Sequence, residues 1–80
     1  MNKEIHTGNL IKQKLSEKDR SISWLAKKVN KNSGNFSRML TKKDINTDLL
    51  ISISVALEYN FFEVISQYIN ERLSTVKLLM

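Results

Sequence analysis

Apolar residues recur at helical spacing in five separate segments of the chain, with polar stretches between them. The first segment is expected to run from about Ile5 to Glu17. Leu10, Ile11 and Leu15 form its apolar side and Lys12, Gln13 and Lys14 its wet side, and the polar stretch at 16–20 reads as a connection. A second helix is expected over about Ile22 to Val29. Ser21 is a natural N-cap, because its hydroxyl can accept a bond from an N–H of the first turn. Ile22, Leu25, Ala26 and Val29 fall at i, i+3, i+4 and i+7, one face of that helix. Asn30 and Lys31 form the turn. Asn tolerates a left-handed backbone, so Asn30 can end one helix while Asn32 caps the next.

The third helix is expected over about Ser33 to Leu40, with Phe36, Met39 and Leu40 inward and Ser33, Gly34, Asn35, Ser37 and Arg38 on the outer side. Thr47 is the expected cap of the fourth helix, and Asp48 is favourable in its first turn. The run from Leu49 to Leu57 leaves almost no polar side, as in a helix buried in the middle of a bundle. Asn60 is expected to cap a fifth helix that starts at Phe61 and continues toward Met80. In it Phe62, Ile65, Ile69, Leu73, Val76 and Met80 form one stripe, and Phe61, Val64 and Tyr68 a second beside it. A small bundle can use one stripe for its core. The far end of the other is left without a surface to pack on, which points to a partner.

Composition narrows this picture. Eighty residues make one domain with one modest core. The absence of Pro, and the presence of only two Gly, favours helices. With no Cys, disulfides and thiolate metal sites are excluded. One His without a second His or a Cys makes a poor metal ligand, so His6 is expected at the surface or at a helix start. No glycine-rich phosphate loop and no nucleophile–base pairing with His6 is visible. The chain is therefore read as not an enzyme, with no cofactor and no metal. The stretch Leu49 to Leu57 is too short to span a bilayer, and no signal-peptide segment opens the chain, so the expected location is the cytoplasm, beside the nucleoid.

Charge is distributed unevenly. Residues 1–43 hold 11 Lys and Arg against 3 Asp and Glu, and residues 44–80 hold 2 against 5. A basic half of this kind reads either as a surface for a polyanion or as a solvated lysine-rich face.

The segment SISWLAKKVNKNSGNFSRML resembles the Cro/C1-type (phage-repressor-like) helix-turn-helix family. The resemblance lies in Leu25, Ala26, Val29, Asn30, Phe36 and Met39. Ala26 is small where two helices cross, and Asn30 stands where Gly is usual and the backbone turns left-handed. Leu25, Val29, Phe36 and Met39 are the apolar pegs that fix the second helix on the first. The flanking stretches HTGNLIKQKL and DINTDLLISISVALEYNFFEVIS look like the family's other helices, so the resemblance covers about residues 5–66. Residues 67–80 are a helical extension without a counterpart.

The resemblance implies an all-α, compact five-helix bundle of the lambda-repressor-like DNA-binding type with an extended C-terminal helix. It implies that the third helix enters the major groove of double-stranded DNA. By position the base-facing residues are then Ser33, Gly34, Asn35 and Arg38, with Arg suited to guanine and Asn to adenine. Asn32, Ser37, Lys42 and Lys43 fall to phosphates, and Lys27, Lys28 and Lys31 are flanking charges. The implied function is a sequence-specific transcriptional regulator, a repressor in the first instance, acting as a homodimer. Apart from the resemblance, the apolar stripe of the last helix makes Ile69, Leu73, Val76, Leu79 and Met80 the expected dimer surface.

Three positions depart from the family. Ile22 stands where a polar phosphate-binding residue is common, Lys31 replaces an apolar turn residue, and Gly34 sits inside the recognition helix, where it costs about 1 kcal/mol relative to Ala. Two other readings keep the fold. One is an antitoxin-like or anti-repressor-like module whose tail binds another protein. The other is a helical interaction domain that has lost DNA binding. Trp24 is expected at the rim of the core, and Tyr59, Phe61 and Phe62 in core and helix-junction packing.

Overall fold

The computed structural model describes residues 5–79. Five helices form: α1 (Thr7–Glu17), α2 (Ile22–Lys28), α3 (Ser33–Met39), α4 (Thr47–Leu57) and α5 (Phe61–Leu79). There is no strand among the described residues. The all-helical class and the five-helix order agree with the hydrophobic pattern.

Each helix starts on a side-chain acceptor, which satisfies one of the N–H groups that the first turn leaves without an intrahelical partner. His6 Nδ1 accepts from the Asn9 N–H at 3.0 Å, and Ser21 Oγ from the Trp24 N–H at 3.0 Å. Asn32 Oδ1 accepts from the Asn35 N–H at 3.1 Å. For α4 the cap is Asn46, whose Oδ1 accepts from the Leu49 N–H at 2.8 Å, so the expected cap Thr47 is instead the first helical residue. Asn60 Oδ1 accepts from the Phe62 N–H at 3.0 Å.

Three helices stop in the same way. Asp19, Asn30 and Glu58 take positive φ of 60°, 58° and 51°. After each, the next N–H reaches back five residues: Arg20 to the Leu15 carbonyl (2.9 Å), Lys31 to Ala26 (2.8 Å) and Tyr59 to Ser54 (3.0 Å). This closure absorbs carbonyls that a helix end otherwise leaves open.

The core takes Ile11 and Leu15 from α1, Leu25 and Ala26 from α2, Phe36 from α3 and Leu40 just after it. Leu49, Leu50, Ile53 and Leu57 join from α4, and Phe61 from the start of α5. Each large side chain so buried contributes about 1.5–3 kcal/mol. Trp24, Tyr59, Phe62 and Ile65 pack at the edge. In contrast to the expected all-round burial of α4, its Ile51 is 48% and its Val55 74% exposed. The helix is apolar on all sides, but its neighbours cover only one.

Both stripes of α5 are used at its start, where Phe61 is buried and Phe62 and Ile65 pack on the core. Farther along, Ile69, Leu73, Val76 and Leu78 are exposed. No helix among the described residues is long and apolar enough to cross a membrane. Met80 and the side chain of Leu79, two of the expected dimer residues, lie outside the described residues.

Candidate nucleic-acid interface

The surface at issue is built on α2, the turn at 29–32, α3 and the segment 40–43. Leu25, Ala26 and Phe36 are buried, and Val29 and Met39 are half-buried against the same core. These five hold α2 and α3 together at a short turn whose direction is set by the left-handed Asn30. Ile22 also packs on the core, so the position the family often gives to a phosphate-binding residue serves packing here. Lys31 is exposed, and its N–H closes α2.

With Phe36 inward, the opposite side of α3 faces solvent. Ser33, Gly34, Asn35, Ser37 and Arg38 are all exposed, as are Asn32, Lys42 and Lys43. The eight residues expected at bases and phosphates therefore lie on one short helix and its two flanks. Two contacts order the outer face. Arg38 Nη2 donates to Asn35 Oδ1. Ser33 Oγ lies 2.9 Å from Ser23 Oγ, a partner that sequence reasoning did not single out. Asn32 spends its Oδ1 on the cap, which leaves its amide N–H groups as the donors it can offer a phosphate. Gly34 has no positive φ. A Cβ there would meet only Asn32 Oδ1, at 3.3 Å, so the glycine keeps the outer face low.

The segment 40–43 is fixed from α1. The Thr7 N–H donates to the Lys43 carbonyl at 2.9 Å. His6 Nε2 lies 3.1 Å from the Thr41 carbonyl while Nδ1 caps α1. A neutral ring protonated at Nε2 satisfies both contacts at once. Gly8 completes the junction, because a Cβ there would lie 2.0 Å from the Leu40 carbonyl oxygen and 2.7 Å from that of Lys42. Two lysines are thus carried on a backbone held by three consecutive residues. The sequence offered only the isolated Gly8 and the lone His6 as signals of this, and neither has a periodic pattern around it.

Several basic residues of the first half are engaged elsewhere. Lys14 Nζ bonds Glu17 at 2.7 Å and sits 3.9 Å from the Tyr59 ring centre. That bond raises the Lys14 pKa and lowers that of Glu17. Arg20 and Lys28 approach the Trp24 ring, at 4.7 and 5.6 Å from its centre, which places Trp24 as a half-buried rim residue flanked by two cations. The α3 helix itself contains no acidic residue.

No protein-family model, curated protein or solved structure matches the chain.

Proposed function

We propose that the chain is a DNA-binding protein of the small all-helical kind, with α2 and α3 as a helix-turn-helix and α3 as the helix that enters the major groove. Within that class we assign it to the Cro/C1-type, lambda-repressor-like regulators, working as a homodimer on a two-fold site. The observation that carries the reading is the outer face of α3. Its polar residues are exposed together, Phe36 fixes the helix from behind, and the clamped lysines at 42 and 43 follow directly. Side chains at the start of such a helix reach base edges, and cations flanking it neutralise phosphates.

The test is binding to random duplex DNA and to the DNA upstream of the protein's own gene, at low and at physiological salt. A regulator prefers its own site by about 10³-fold or more, with a steep salt dependence. Lys42→Ala should weaken binding to every sequence alike and lower the salt slope by about 1. Absence of binding at either salt would overturn the reading. It would favour the protein-partner alternative, which the exposed apolar residues of distal α5 support.

A further inference from the structure

We propose that Asn35 and Arg38 act as a single reader of guanine, with Asn35 as a positioning residue for the Arg38 guanidinium and not as an independent reader of adenine. The proposal rests on the DNA-binding reading above and refines what α3 recognises.

The two residues are one helical turn apart on the exposed side of α3, and Arg38 Nη2 donates to Asn35 Oδ1. A bond from a cation is roughly twice as strong as one between neutral groups. For Asn to pair with adenine, its Oδ1 must accept from the exocyclic amine while its Nδ2 donates to N7. In this structure that oxygen already accepts from a charged donor. That bond uses one of the two lone pairs on Oδ1 and turns the carbonyl toward Arg38, so the groups the pair offers outward are chiefly N–H: those on Asn35 Nδ2 and the remaining ones of the guanidinium. The base edge that matches donors alone is guanine, whose N7 and O6 are both acceptors, whereas adenine sets a donor beside its N7.

The backbone that carries the two side chains is fixed at both positions. The Asn35 N–H is held by Asn32 Oδ1 at 3.1 Å, and the Arg38 carbonyl accepts from Thr41 Oγ1 at 2.6 Å. Both ends of the pair are thereby tied to capped backbone. With no carboxylate on α3, the helix supplies no charged acceptor to draw the guanidinium away from Asn35. Gly34 adds no side chain beside the pair, so a base edge can come close.

The experiment is selection from a randomised duplex pool, followed by affinities for duplexes changed one base pair at a time. Asn35→Ala, Asn35→Asp, Arg38→Ala and the double alanine variant are compared with the parent, each checked by thermal melting. The two alanine variants should lose preference at the same G·C pair, by roughly 10-fold each, and the double variant should lose no more than Arg38→Ala alone. Asn35→Asp keeps the acceptor, so it should retain the guanine preference while binding all duplexes more weakly. Loss of preference at a different base pair in Asn35→Ala, an A·T pair above all, would overturn the proposal. So would additive losses in the double variant. A parent protein that binds DNA without preferring any base pair overturns the proposed regulator function as well, and that result appears before any variant is made.

Discussion

The junction of residues 6–8 with 40–43 and the distal part of α5 stand at opposite extremes of packing. At the junction, backbone meets backbone so closely that a methyl group at position 8 would lie 2.0 Å from a carbonyl oxygen. In distal α5, Ile69, Leu73 and Val76 are about half exposed and Leu78 is 87% exposed. The strengths of the sequence signals run the other way. The apolar stripe of α5 is the longest periodic pattern in the chain, while the junction is marked by one Gly and one His. Periodicity reports which side chains share a face. It does not report whether anything lies against that face, and it is blind to contacts made by backbone atoms.

The most forceful way to test this contrast is Gly8→Ala. The new Cβ would strike the Leu40 and Lys42 carbonyls, and these cannot retreat alone because Thr7 and His6 grip the same segment. A cost of about 3 kcal/mol is expected, at the upper end of ordinary overpacking. Urea denaturation reads it directly. A stability within 1 kcal/mol of the parent, by the same rough scale, would mean the junction is looser than its geometry.

A smaller loss is expected at the same junction from His6→Ala. The substitution removes the α1 cap and the contact with Thr41 but adds no bulk, so about 1 kcal/mol should go, as for other caps. His6→Asn, which retains a side-chain acceptor for the Asn9 N–H, should recover most of it. Failure of Asn to rescue would move the weight from the cap to the Thr41 contact.

Much of the fold is legible in the amino-acid sequence. The faces of α1, α2 and α3 followed from Ile11, Leu15, Leu25, Ala26 and Phe36, because burial of apolar residues repeats with the helix period. Asn30 was legible as a left-handed turn because Asn is among the residues that accept one. Asp19 and Glu58 adopt the same conformation at exposed positions, where the backbone closures from Arg20 and Tyr59 hold it and residue type alone does not mark it. Asn46 was missed as a cap beside Thr47, as both residue types cap well and only the register of the first turn decides between them. The exposure of Ile51 and Val55 on α4 was hidden for a different reason. A helix apolar all round carries no mark of which side its neighbours will leave bare. At the candidate site, the sequence supplied the residue types on α3 but not the bond between Asn35 and Arg38, which depends on rotamers, nor the clamp on 40–43.

The smallest effect on the single chain is expected at the loose end, and it is the one that decides what the stripe is for. Leu73 is 52% exposed, so Leu73→Ser removes little buried area and should change the stability of the monomer by no more than about 0.5 kcal/mol. Its effect should appear in association. If the proposed homodimer forms through distal α5, the parent should sediment as a dimer at tens of micromolar, and its melting temperature should rise with protein concentration. Leu73→Ser should sediment as a monomer and melt at one temperature throughout. A parent that stays monomeric both alone and on DNA would assign the stripe to some other protein. A monomer loss of about 2 kcal/mol or more would instead show that Leu73 packs within its own chain, since changes of that size come from buried positions. The contrast between the tight and loose ends would then fail.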